Sequence, residues 1–226
     1  MRIVQLLSGG FDSVGQALLL QAAGFTIYPM HVQFRIGGGH VVKEKKAAQA
    51  VTDMCGFEPV HHVYHRIPLR EYATRNRTMM RLAGEYADTL EIRDVAIGVS
   101  CMPEDIYTAE GGDNAEDNSL GPLQLQVPAH IHVHVLQMER ASLLQLVGAL
   151  PIVALRAMFK TTSCQYWGKV DCGQCHSCIK RHAAFIAVIG YDYTEYVNDP
   201  KLTARWTTNF ERQLRAIGGN KSEDEG

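Results

Sequence analysis

The sequence predicts an α/β protein: a parallel, doubly wound sheet followed by a small helical module organised by cysteines. Three observations predict it. Short apolar runs alternate with helix-length amphipathic segments through the first half of the chain. The first apolar run, Ile3 to Leu7, enters a helix through Ser8-Gly9-Gly10. Four of the six cysteines fall between Cys164 and Cys178. Strands separated by helices pair in parallel through right-handed crossovers, with helices covering both faces. Ligands in such a sheet sit outside the carboxyl ends of the strands, where the Ser8–Ser13 segment falls.

The elements follow in order. Ile3–Leu7 is apolar except for Gln5 and reads as a buried strand. Val14–Ala23 reads as the first helix, stopped by Gly24. Thr26–Val32 is the second strand, and Lys43–Met54 the second helix, ending near Gly56. Val60–His65 is a short third strand. Arg75–Asp88 is a helix with Met79, Met80, Leu82, Ala83 and Tyr86 as its core stripe and Arg75, Arg77 and Arg81 on a solvated face. Val95–Ser100 is the fourth strand. From Met102 to Gln124, Pro103, Gly111, Gly112, Gly121 and Pro122 punctuate a polar stretch. It reads as a long loop or lid carrying Asp113, Glu116 and Asp117. Val127–Leu136 returns as a strand, followed by a helix from Glu139 to Leu150 and a last helix from Cys178 to Ile189. The polar tail from Gly218 is expected to be disordered. The expected division is 1–160 as the α/β domain, 161–199 as the cysteine module with its helix, and 200–226 as a C-terminal extension. No internal repeat is evident.

Composition sets limits. The chain has 226 residues, 46% of them hydrophobic, enough for a sizeable core with an appendage. A net charge of −2 leaves no basic footprint, so strong nonspecific nucleic-acid binding is disfavoured. The start lacks a signal-peptide pattern, since Gln5 and Ser8 interrupt the apolar run. No stretch has the length and apolarity of a membrane span. A cytoplasmic location is therefore expected, with reduced cysteines that point to metal rather than disulfides.

The junction Leu7-Ser8-Gly9-Gly10-Phe11-Asp12-Ser13 carries the clearest chemistry. Glycines let the backbone turn sharply and a ligand come close. The helix that follows offers free N–H groups and the positive end of its dipole to an anion. Ser8 and Ser13 add hydroxyl donors, and Asp12 a carboxylate for Mg²⁺. No Lys follows the glycines as in the common mononucleotide loop, and the dinucleotide Gly-x-Gly-x-x-Gly is absent. The bland alternative is a plain glycine turn. The pattern Ser-Gly-Gly-x-Asp-Ser resembles the pyrophosphate loop of the ATP-pyrophosphatase superfamily, whose fold is adenine nucleotide alpha hydrolase-like. That resemblance implies cleavage of ATP between the α- and β-phosphates and transfer of AMP.

Cys164, Cys172, Cys175 and Cys178 are the second cluster. Four thiolates suit tetrahedral zinc and close its coordination, which makes the site structural. An iron–sulfur cluster and a metal-free cluster are the alternatives; the bacterial iron–sulfur run has shorter spacing and a Pro after its last Cys. His176 is not needed as a ligand, and Cys55 and Cys101 read as ordinary thiols.

With both clusters placed, the chain resembles the 7-cyano-7-deazaguanine (preQ0) synthases. The match rests on Leu7–Ser13; on Thr161-Thr162-Ser163-Cys164 with Cys172-Gly173-x-Cys175-x-x-Cys178-x-x-Arg181 and Ala184-Phe185; and on Arg75-Asn76 opening a helix. The blocks fit from Met1 to about Tyr196. The resemblance implies an AMP-forming carbon–nitrogen ligase using ATP, Mg²⁺ and a structural Zn²⁺, with 7-carboxy-7-deazaguanine or a relative and ammonia as substrates. Leu7, Ser8, Gly9, Gly10, Phe11, Asp12, Ser13 and Gly98 would bind the nucleotide, and Asp12, Ser13, Arg75 and Arg140 would serve the chemistry. Family members are commonly dimers, which implies a homodimer.

The chain also departs from the pattern. Gly98-Val99 is kept, but Ser100–Leu120 lacks the family's Ser-Gly-Tyr-Pro-Asp-Cys-Arg-like segment near the acceptor. Thr74 replaces the Gly before Arg75-Asn76, and Arg140 stands for a family Lys. His40 and Glu44 stand for a family His and Glu, at spacing one residue longer. These departures mark a divergent member. The alternatives are the same adenylation stopping at the amide or using another acceptor, a tRNA-modifying enzyme of the superfamily, and a non-catalytic nucleotide-binding module. His130, His132 and His134 alternate along a predicted strand; they read as a polar strand face with one ring reaching the site, the alternative being a metal site. His61, His62 and His65 read as sheet edge or surface.

Overall fold

The computed structural model describes residues 1–34, 41–67, 75–100, 120–164 and 170–201. Five strands form one parallel sheet: β1 (Arg2–Leu6), β2 (Thr26–Phe34), β3 (His61–His65), β4 (Asp94–Ser100) and β5 (His132–Met138), in the order β3-β2-β1-β4-β5. Leu6 pairs with Met30 on one side and Ile97 on the other. Seven helices occur among the described residues: α1 (Phe11–Ala22), α2 (Val41–Cys55), α3 (Arg75–Thr89), α4 (Leu120–Gln124), α5 (Arg140–Gly148), α6 (Ile152–Phe159) and α7 (His176–Ile189). None of them is long and apolar enough to cross a membrane.

Alternation along the strands splits the core in two, because successive side chains point to opposite faces. Ile3, Leu7, Ile27 and Ala96 face α1, α2, α5, α6 and α7, where Phe11, Leu18, Val51, Leu143, Ala157 and Phe185 join them. Val4, Leu6, Met30, Val95 and Ile97 face α3 and α4, against Met80, Ala83 and Leu123. The predicted α3 stripe is thus in place. The chain winds outward from β1 to β3, then jumps back to β4. That reversal puts a crevice at the carboxyl ends of β1 and β4.

Three parts of the sequence reading need correction. Val127–Ile131 is not strand: Ile131 N–H donates to the Pro128 carbonyl, and β5 starts at His132. Pro128 cannot donate to a ladder, which turns the chain there. The region after Leu150 contains a helix that the reading omitted, α6. Pro151 opens it, since proline suits a helix start. Leu120–Gln124, read as the end of the loop, is the short helix α4. The acidic residues Asp113, Glu116 and Asp117, Cys101, His40 and the tail lie outside the described residues.

The histidines do not converge. His130 precedes β5 and pairs with Asp88 at 2.9 Å, His134 pairs with Asp94 at 2.8 Å, and His132 is exposed. Asp94 begins β4, at the end of the sheet opposite the crevice, so His134 does not reach it. His61 stacks on Tyr86 and His65 lies edge-on to Phe34, along the edge strand β3.

Candidate active site at the β1–α1 junction

The helix α1 begins three residues earlier than the sequence reading placed it, so Phe11, Asp12 and Ser13 form its first turn. Gly10, the N-cap, has no side chain to cap that turn. The first N–H groups of a helix have no intrahelical partner, so they are left for a ligand. The entry to the turn is held from β2. Leu7 N–H donates to the Met30 carbonyl at 2.8 Å. Burial lowers His31 to about 4, so its ring is neutral and Nδ1–H donates to the Leu7 carbonyl at 3.1 Å.

Ser8 and Ser13 knit the turn together. Their hydroxyls lie 3.0 Å apart, Ser8 N–H donates to Ser13 Oγ, and Gly10 N–H donates to Ser8 Oγ. Gly9 has φ 74°, and a Cβ there would lie 2.5 Å from the Glu44 carbonyl oxygen. Glycine is required on both counts. Gly98, at the end of β4, meets α1 directly: its Cβ would stand 2.6 Å from the Asp12 carbonyl oxygen. Any side chain there would push the first turn out of the crevice.

Asp12 Oδ2 accepts a bond from Arg140 Nη2 at 3.0 Å, while Oδ1 is buried with no hydrogen-bond partner among the described residues. An orphaned buried carboxylate oxygen is costly unless something binds it. Arg140, at the start of α5, also donates to the Ser177 carbonyl and lies over the Phe11 ring. Arg140 thus spans from α1 to α7. Arg75, at the start of α3, acts electrostatically on Glu44. Burial nevertheless dominates at Glu44 and pushes its carboxyl up to about 6.

The four cysteines meet at a second centre. All four sulfurs lie within 4.8 Å of one another, with Cys175–Cys178 at 3.4 Å and Cys172–Cys178 at 4.0 Å. Tetrahedral bonds of ~2.3 Å put ligand sulfurs about 3.8 Å apart, so the donors fit one soft ion. A cluster with one thiolate per iron spreads its ligands around a larger body. Cys172 N–H donates to Cys164 Sγ, and Gln174 and Cys175 N–H donate to Cys172 Sγ, bonds that favour thiolates. Burial beside Cys175 pushes the Cys178 thiol far above its ordinary range, which a bound cation reverses. Cys55 stands apart, its thiol pushed up to about 11 by burial alone.

Sequence reasoning passed over two residues between these centres, Lys43 and Asp171, both buried and paired at 3.2 Å. A signal existed. Lys43 precedes Ala47 and Val51 at helical spacing, on the buried stripe of α2.

A parallel sheet of order β3-β2-β1-β4-β5 with a glycine turn entering a helix at its switch point defines the class: a doubly wound α/β protein. The family model described as queuosine biosynthesis protein QueC matches residues 61–189, and the chain belongs to that family of enzymes. It is 25% identical over 227 residues to the 7-cyano-7-deazaguanine synthase of Aromatoleum aromaticum, covering 86% of this chain and 97% of that one. It is 27% identical over 230 residues to the synthase of the same name from Dechloromonas aromatica, covering 86% and 98%. The solved U34-tRNA thiolase NcsA from Methanococcus maripaludis, described with its [4Fe-4S] cluster, aligns with TM-score 0.45 and 15% identity over 100% of this chain and 78% of that one. At that level the likeness carries no argument about substrate or metal.

Proposed function

We propose that the protein adenylates the carboxylate of 7-carboxy-7-deazaguanine with ATP, converts it to the amide with ammonia, and dehydrates the amide to 7-cyano-7-deazaguanine. The observation that carries this reading is the Leu7–Ser13 turn seated at the switch point of a QueC-family chain, with Gly98 against it. Residues 1–160 are read as the nucleotide-binding part, 161–199 as the metal part and 200–226 as an extension.

A carboxylate resists attack by ammonia until one oxygen becomes a good leaving group. In the proposed first step a carboxylate oxygen attacks the α-phosphorus of ATP, its bond to the β-phosphate oxygen breaks, and pyrophosphate leaves. Ammonia then attacks the acyl carbon and AMP departs, giving the amide after loss of a proton. The amide oxygen attacks a second ATP in the same way. Loss of AMP and protons leaves the nitrile. The free N–H groups of the first α1 turn and the Ser8 and Ser13 hydroxyls would hold the phosphates and take up charge on departing pyrophosphate. Arg140 sets Asp12 in place, with Oδ1 left for a cation. Mg²⁺ would supply charge neutralisation on the phosphates.

Cys164, Cys172, Cys175 and Cys178 would hold a structural Zn²⁺, supported by sulfur spacing suited to one tetrahedral ion. Ammonia as nitrogen donor, a cytoplasmic location and a homodimer complete the reading. A second reading keeps the adenylation and stops at the amide or takes another acceptor; the missing family segment after Val99 favours it. Incubation with the acid, ATP, Mg²⁺ and ammonium, read by product mass, tests both. The nitrile supports the first reading, and the amide alone supports the second. Neither product from this acid overturns the first.

A further inference from the structure

Asp171 immediately precedes Cys172, yet its carboxylate serves more than the cysteine centre. Its Oδ1 accepts from Lys43 Nζ of α2 at 3.2 Å and from Thr162 Oγ1 at 2.6 Å. Its Oδ2 accepts from Ser163 N–H at 3.3 Å and from Arg181 Nη1 of α7 at 3.4 Å. Arg181 is fully buried, and Asp171, Lys43 and Thr162 are nearly so. Charges this deep are tolerated only when paired and hydrogen-bonded.

Two of those partners reach the Gly9 turn. Thr162 N–H donates to the Gly9 carbonyl at 2.9 Å. The α2 backbone packs against Gly9 at Glu44, the residue after Lys43. A closed circuit results: Gly9 to Thr162, Thr162 to Asp171, Asp171 to Lys43, and Lys43 along α2 back to Gly9. Lys43 also bonds Cys164, so the circuit touches the cysteine centre.

We propose that Asp171 and Lys43 are positioning residues that clamp Gly9 between Thr162 and α2, preforming the turn for the phosphates of ATP. The proposal rests on reading Leu7–Ser13 as the nucleotide turn. Neither residue touches the nucleotide; each acts through Gly9. A turn held in its bound geometry loses less freedom on binding, and that difference appears as affinity.

Lys43→Met removes one link, keeps the aliphatic stem and leaves the Asp171–Arg181 pair intact. Asp171→Asn is the second variant; it keeps an acceptor for Thr162 but drops the charge that balances Arg181, so it risks misfolding. The measurements are calorimetric titration with ATP and Mg²⁺, bound metal per chain, and the thermal midpoint without nucleotide. For Lys43→Met we expect about tenfold weaker ATP binding, metal content at the wild-type level, and partial recovery in Lys43→Arg. Under turnover the KM for ATP should rise while the KM for the acceptor stays. Wild-type ATP affinity in a folded, metal-loaded Lys43→Met protein would overturn the clamp. Weakened binding accompanied by lost metal would overturn it as well, because the residue would then serve only the cysteine centre. Failure of the wild-type protein to bind ATP would overturn the nucleotide reading, and the clamp with it.

Discussion

Glu44 lies beside Lys43 and feels the Arg75 charge, yet burial outweighs both cations and raises its carboxyl from 4.5 to about 6. Between those values the folded protein holds a proton that the unfolded chain has released. The associated stabilisation is complete below 4.5 and is lost as pH rises through about 6. Above that window the charged, buried carboxylate costs about 2 kcal/mol. Glu44→Gln should therefore unfold at a higher temperature than wild type at about pH 7.5, by a margin that shrinks to nothing in acid. Parallel thermal-midpoint profiles for the two proteins would contradict this. The same neighbourhood shows where reading residues in sequence succeeds and stops. Ser8, Gly9, Gly10, Asp12 and Ser13 are legible because small and hydroxyl residues between a strand and a helix have a local reason to be there. Lys43 and Asp171 stand 128 residues apart, and only the fold reveals their pairing. Arg140 was legible as a charge but not as the partner of Asp12.

Most elements announced themselves through apolar runs and amphipathic stripes. Two of the misses occur where proline changes a local rule. Pro128 delays β5, and Pro151 opens α6, a helix the sequence reading does not include. The consequence for β5 is functional, because a later start separates His130 from His132 and His134. The cysteine segment and α7 are different. Spacing made the four-cysteine cluster legible, but not that Ala184 and Phe185 enter the core shared with α1 and α5. Phe185 packs edge-on against Phe11, the first residue of α1, at 5.7 Å. Loss of the metal should therefore unfold more than the cysteine loop. Stripping the proposed ion with a chelator, or replacing Cys178 by Ser, should lower the thermal midpoint by ~10 °C or more, and the metal released should be zinc if the proposed site holds. An unchanged midpoint after complete metal removal would contradict a structural role.

Across the whole molecule, the sheet order brings β1 and β4 together, and everything proposed for chemistry gathers at their carboxyl ends. Gly98 abuts the first turn of α1, Arg140 reaches Asp12 from α5, and Thr162 holds Gly9 from the chain leading into the cysteines. Parallel topology was legible from the alternation of elements, and the switch point followed from the place of the glycine turn. The acceptor was not legible, because the segment after Val99 departs from the pattern that the other blocks share. The central claim is adenylation at the β1–α1 turn, and the nucleotide products test it most directly. With the deazaguanine acid and ammonium present, ATP should yield AMP and pyrophosphate in equal amounts, with formation depending on the acid. Formation of ADP and phosphate instead, or no ATP cleavage at all, would contradict the account.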